Sequence, residues 1–159
     1  MADSGYSKPA NAIVVDGQNM HVQTMKVEAV ATMYAGRLVM KGTGDDDAIV
    51  NTGEGTAIGW LGYEQMIKAN RPATVDTIYL GADSSPSVNV QAAVLSGPGM
   101  VIVGSLAVSQ TIVKGDMLVA TTAGQLIKWT AGHSPVAIAE ESVTTSSVAS
   151  SDIMVRSLI

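Results

Sequence analysis

The side chains best suited to chemistry in this chain are two histidines and one run of carboxylates. His21 and His133 are the only histidines, and there is no cysteine. Zinc takes three or four N, S or O ligands at close spacing, and two distant imidazoles do not supply them. His133 falls in Gly132-His133-Ser134-Pro135, which reads as a surface turn. A Ser-His-Asp set can be written from His133 and many serines, but the Gly-x-Ser-x-Gly elbow that strains and exposes a nucleophile is absent. Asp45-Asp46-Asp47, with Glu54 nearby, offers hard oxygens of the kind that hold Ca²⁺. The alternate-residue spacing of a calcium loop is missing, so the run reads as a solvated acidic turn. Gly42-x-Gly44 and Gly97-x-Gly99 are too short to cradle a phosphate, and no helix start follows either. Trp60, Trp129, Tyr63 and Tyr79 are the rings a sugar would stack on, but they are scattered, and core packing is their expected use. Glu140 with Glu141, and Asp152 with Arg156, read as strand-face charges. No catalytic residue, metal site or cofactor is expected, and the chain does not read as an enzyme.

What must position side chains here is an unusual composition. The 159 residues are 47% hydrophobic but only 14% charged, with no phenylalanine and 4% aromatics. Apolar content therefore comes from Val, Ala, Ile, Leu and Met, which suits sheets. A surface this poor in charge suits a chain that associates with itself or with an assembly. Net charge is −5, and the nine Lys and Arg form no basic stripe, which argues against nucleic acid. No apolar run approaches the ~18 residues of a membrane helix. The polar start MADSGYSKPA has no signal-type apolar core, and the absence of cysteine suits synthesis in a reducing cytoplasm.

Glycine and proline punctuate the chain at short intervals, the pattern of an all-β barrel or sandwich. Ala12–Val15 is a short apolar run ended by Asp16-Gly17. From His21 to Tyr34 the chain alternates, with Gln23, Met25, Val27, Ala29 and Ala31 on the more apolar parity, so a strand is expected over a helix. Further strands are expected at Gly36–Lys41, Ala48–Val50, Thr56–Leu61, Val75–Leu80 and Val88–Leu95. Tyr63–Asn70, stopped by Pro72, is the one short helix expected. Met100–Val108 is the most apolar strand and is expected to be central. Lys114–Val143 reads as three strands entered through the turns Lys114-Gly115-Asp116, Ala123-Gly124 and Gly132–Pro135, and Ile153–Ile159 as a terminal strand.

The chain also resembles itself at an offset of about 80 residues. Leu38-Val39 meets Leu118-Val119, Gly44 meets Gly124, Ala57-Ile58 meets Ala137-Ile138, and Val75 meets Val155. The expected organisation is an N-terminal arm at 1–11, a first β unit at 12–80 and a related second unit at 81–159. Whether two units make two barrels or one interleaved barrel is left open by the sequence.

One stretch carries a resemblance. Lys114-Gly115-Asp116-x-Leu118-Val119, then Ala123-Gly124-Gln125, Ala131-Gly132, Val136–Ala139, a Ser/Thr/Ala-rich loop and Val155-x-x-Leu158 resembles the small β-barrel domain of tailed-phage capsid decoration (head-stabilising, cement) proteins. The similarity covers Lys114–Ile159 well and Gly36–Leu80 more weakly. Gly59 and Gly62, bracketing Trp60, depart from the pattern. The resemblance implies a non-catalytic virion protein on the outer surface of an icosahedral shell. Its implied partners are the major capsid protein and its own copies in a homotrimer.

In that setting an N-terminal arm adds a strand to an exposed sheet edge of the shell, taking affinity from main-chain hydrogen bonds. The shell contacts expected on that basis are Asp3, Ser4, Tyr6, Lys8, Pro9, Asn11, Ile13 and Val15. The rival readings are a virion fibre, spike or tail-associated β protein, and a carbohydrate-binding β module, which needs Trp60 or Trp129 exposed.

Overall fold

The computed structural model describes residues 13–28, 33–53, 55–64, 77–78 and 91–159. The architecture is all-β, as the glycine-punctuated sequence indicates, and it holds two small barrels rather than one interleaved barrel. The first barrel is built from β2 (His21–Val27), β4 (Leu38–Lys41), β5 (Asp47–Val50), β6 (Ala57–Glu64) and β8 (Gln91–Ser96). It closes in the order β2-β5-β4-β6-β8. The second uses β9 (Val101–Leu106), β11 (Met117–Ala120), β12 (Leu126–Lys128), β13 (Ala137–Ala139) and β15 (Ser151–Ser157). There β9 pairs with β15 along its length and touches β12 through Leu126↔Leu106, which brings the order β9-β12-β11-β13-β15 round into a ring. Five short strands complete the set: β1 (Val14–Asp16), β3 (Met33–Tyr34) paired with β7 (Thr77–Ile78), and β10 (Thr111–Ile112) paired with β14 (Val143–Thr144).

The two barrels repeat one pairing scheme. In each, the first strand runs antiparallel to the last and parallel to the third: β2 with β8 and β5, β9 with β15 and β12. In each, the second strand pairs antiparallel with the third and fourth: β4 with β5 and β6, β11 with β12 and β13. The scheme corrects two expectations. Strand β8 closes the first barrel although it lies beyond residue 80, so the barrels meet at the Gly97-Pro98-Gly99 turn and not at 80/81. Strand β1, placed by sequence in the first unit, pairs instead with β9 of the second. The helix expected from Tyr63 also yields in part. Tyr63 and Glu64 continue β6, and the rest of that segment, like the strand expected through Val75–Leu80 apart from β7, lies outside the described residues.

Paired strands fix which side chains share a face, because directly opposite residues point the same way. Inside the first barrel sit Met25, Val39, Ala48, Leu61, Ala92 and Val94, a core of small and medium side chains. The second barrel's interior holds Met100, Ile102, Leu106, Leu118, Leu126, Ala137, Ala139, Ile153 and Val155. Leu38, Trp60 and Leu95 belong to this second cluster although their strands belong to the first barrel. Leu38 is opposite Trp60, and Trp60 opposite Leu95, so the three form one row on the outside of the first barrel. That outer row is buried against the second barrel, where Trp60 is fully enclosed.

The seam is tight because glycines let backbone and ring approach. A Cβ on Gly104 would stand 3.3 Å from Cζ3 of Trp60 and 3.0 Å from Cδ1 of Leu126. Gly36, at φ +82°, lies so close to β9 that its Cβ would meet the Val103 carbonyl at 2.5 Å. The indole N–H of Trp60 donates to Ser157 Oγ at 3.1 Å, which satisfies the one polar atom of the ring. Across the same seam Gly124 donates its N–H to the Asn51 carbonyl at 2.8 Å, and Arg37 Nη1 donates to the Ala123 carbonyl at 3.0 Å. Gly97 and Gly99 donate to the carbonyls of Ile159 and Ser157, tying the inter-barrel turn to the C-terminal strand.

Removing the ring tests this packing. Trp60→Ala should lower unfolding free energy by about 3–5 kcal/mol through the cavity it leaves. Trp60→Phe should cost less, since it removes the Ser157 hydrogen bond and only part of the volume. Denaturant midpoints of the three proteins check the order; equal midpoints for wild type and Trp60→Ala would show that the seam is not packed as described.

Candidate interaction surfaces

The residues singled out from sequence do not converge on a reaction centre. Asp3, Ser4, Tyr6, Lys8, Pro9 and Asn11 lie outside the described residues. Ile13 is buried in the second barrel's core cluster, and its carbonyl accepts the Val103 N–H at 2.7 Å. Val15 is half-buried in β1. Strand β1 pairs Val14 with Ile102 and Asp16 with Val101. This part of the expected arm therefore adds a strand to the chain's own sheet, and Ile13 is a core residue and not a surface contact. The apolar character of Ile13 and Val14 serves intramolecular burial.

The acidic run is spent on its own turn. Asp47 Oδ2 accepts the Gly44 N–H at 3.1 Å, and its Oδ1 lies 3.8 Å from Lys26 Nζ. Asp45 reaches Lys41 at 3.4 Å across an exposed i,i+4 pair. Glu28, from the end of β2, accepts the Thr43 N–H through both oxygens, at 3.3 and 3.2 Å. Among the described residues no group of three or more His, Cys, Asp or Glu is placed to hold a metal ion. The side chain of Glu54 lies outside the description.

His21 opens β2 on the exposed surface, and His133 sits in an exposed turn whose carbonyl accepts the Trp129 indole N–H at 2.7 Å. A cleft of about 310 Å³ lies beside that turn, between Gly53, Gly55, Thr56 and Ala57 on one side and Gly132–Val136 on the other. Its other walls are Val119, Ala120 and Ile159, and His133 is its one titratable side chain among the described residues. Small side chains and exposed backbone line it, so the cleft offers shape and main-chain contacts rather than a charged anchor.

The second barrel's rim carries most of the resolved electrostatics. Asp116, closing the Lys114-Gly115-Asp116 turn, accepts from Lys128 Nζ at 2.8 Å and from the Val113 N–H at 2.9 Å. The Lys128 hydrogen bond first, and then the Val113 N–H, hold the Asp116 carboxyl below its ordinary value of 3.8. Glu140 is buried on the neighbouring edge and pairs with Arg156 and, at 3.7 Å, with Lys114 Nζ. Glu141 Oε1 accepts the Met154 N–H at 2.8 Å. These pairs leave three apolar side chains standing out nearby: Val113, Met117 and Trp129. Trp129, expected from sequence to pack in the core, is 41% exposed, while Trp60 is fully buried and unavailable to any ligand.

A depressed carboxyl stabilises the fold above its ordinary pKa, and that contribution is lost as pH falls through the folded-state value. Asp116→Asn should therefore lower the thermal midpoint near neutral pH. The gap to wild type should close as pH drops through and below 3.8. A gap that is constant with pH would assign the effect to the turn hydrogen bond alone.

No family model matches this chain, and no curated protein matches it. Among solved structures it is similar to the chain described as head fiber gp8.5 N base in bacteriophage phi29. The TM-score is 0.47 and the identity 14%, over 87% of this chain and 93% of that one.

Proposed function

We propose that this chain is a virion structural protein that binds the outer surface of an icosahedral phage capsid and stabilises it, with no catalytic step of its own. The observation that carries this reading is the fit between the residues of the decoration-type motif and the turns of the second barrel. Gly115, Gly124 and Gly132 all have positive φ, at 95°, 69° and 95°. Each is a motif glycine at a strand connection, where the left-handed region excludes most other residues. The segment Lys114–Ile159 thus supplies four of the second barrel's five strands, with β9 as the fifth, and is not a chance string of small residues.

The remaining features agree with an architectural role. Charge is sparse, and the ionic groups described are used within turns and edges. Residues 3–11 are the part of the proposed arm left to reach a shell subunit, since 13–16 are taken up by β9. Main-chain pairing of such an arm with a shell edge is weak singly, and a homotrimer multiplies it. A ligand that binds only the assembled shell stabilises it by mass action. Synthesis in the host cytoplasm followed by attachment to the particle is the corresponding route.

The direct test is stoichiometry in purified particles from the source virus, relative to the main shell subunit. A regular ratio, of the order of one copy per shell subunit, supports decoration. A handful of copies per particle points to a fibre, spike or tail component, and absence from particles overturns the virion reading.

A truncation divides the labour within the chain. Deleting residues 1–10 should weaken binding to shells while leaving the far-ultraviolet circular dichroism and thermal midpoint intact. Extending the deletion through Asp16 should lower stability as well, because it removes Ile13 and the β1–β9 pairing. Loss of the β signal in the shorter deletion contradicts this division.

A further inference from the structure

The two barrels present the same outer face to different surroundings. In the first barrel Asn51, Leu38, Trp60 and Leu95 form a row across β5, β4, β6 and β8, linked by the Asn51 N–H to Leu38 carbonyl bond at 2.9 Å. The second barrel repeats it across β12, β11, β13 and β15 as Trp129, Met117, Ile138 and Arg156, linked by the Trp129 N–H to Met117 carbonyl bond at 2.8 Å. Leu38 and Trp60 are completely buried by the neighbouring barrel. Met117 is 48% exposed and Trp129 41% exposed, with Ile138 half-buried between Met117 and Arg156.

We infer that this second-barrel face docks on the first barrel of a second copy of the chain, repeating the contact the two barrels make within one chain. The intramolecular contact is heterologous: the outer row of one barrel meets a different surface on the next. On the second barrel that surface includes the β11–β12 connection, where Gly124 and Ala123 bond to Asn51 and Arg37. Its counterpart on the first barrel is the β4–β5 connection, Gly42–Asp46. A heterologous contact used once inside a chain is free to be used again between chains.

Charge favours the same pairing. Around the β4–β5 connection, Glu28, Asp45, Asp46 and Asp47 stand against Lys26 and Lys41. Beside the exposed row, Lys114, Lys128 and Arg156 stand with Asp116, Glu140 and Glu141. The turn therefore carries an excess of negative charge, and the row, neutral in sum, offers it the three cations Lys114, Lys128 and Arg156, which orients the encounter. Burying Trp129 and Met117 would supply the apolar anchor. This inference is independent of the virion reading: it rests on the inter-barrel contact, the exposed row and the charges beside it.

The test uses the full chain. Sedimentation of the wild type should show concentration-dependent self-association. Replacing Met117→Asp and Trp129→Ser together should weaken it by about tenfold or more, whereas Val148→Asp, at a position 88% exposed elsewhere, should not. Because the chain has no cysteine, introduced thiols report geometry cleanly. Under mild oxidation, a mixture of a Met117→Cys chain and a Thr43→Cys chain should form the mixed disulfide, and neither chain should couple to itself. A monomer at all concentrations overturns the inference. So does association that survives the paired substitution with the fold intact by circular dichroism, or self-coupling of the Met117→Cys chain, the mark of a two-fold contact.

Discussion

Enclosure of the Trp60 ring between two barrels is the contact on which the rest of this structure depends. The chain has no phenylalanine, and the first barrel's interior is filled by Met25, Val39, Ala48, Leu61, Ala92 and Val94. A barrel of that size buries little apolar area for the backbone entropy it orders. The second barrel touches β12 to β9 through a single residue pair, so its wall is thin on that side. Trp60 fills the site beside Gly104 and joins the first barrel's outer row to the second barrel's core. Ile13, carried by β1 along the same edge of β9, adds a further cover. Each barrel thus completes the other, and the glycines at 36, 104 and 124 are where close approach makes that possible.

The same dependence explains which parts of the sequence were legible. Strand positions and turns from Met100 onward follow the glycine and proline punctuation closely, because short antiparallel strands are bounded by residues with special backbone geometry. The central place of Met100–Val108 is borne out by β9, which contacts β1, β12 and β15. The repeat was visible as scattered identities, yet its register was not. The identity offset sets Leu38 against Leu118, whereas the pairings equate Leu38 with Met117 and Val39 with Leu118. A slip of one residue moves a side chain to the opposite face, so that alignment would have put Leu38 inside its own barrel.

Two further differences have the same origin in long-range pairing. The closing strand of the first barrel, β8, comes after a longer connection than its counterpart β15, and composition carries no mark of that. Strand β1 reads as part of an outgoing arm because its run of apolar residues is equally suited to any sheet edge; only the geometry assigns it to β9. Trp60 and Trp129 look alike in sequence, and their separate fates follow from which outer row the neighbouring barrel covers. The absence of a reaction centre in the sequence reading rested on spacing. The carboxylates of Asp47, Glu28 and Asp116 act as turn partners.

The central claim is that the barrels form one cooperative unit through the shared core. The most direct measurement is equilibrium unfolding in denaturant, followed both by tryptophan fluorescence, where the buried Trp60 reports the seam, and by far-ultraviolet circular dichroism, which reports all strands. The account predicts one transition with coincident midpoints and slopes for both signals. A fluorescence change at lower denaturant than the loss of strand signal, or two resolved transitions, would show that the barrels stand independently and would contradict it.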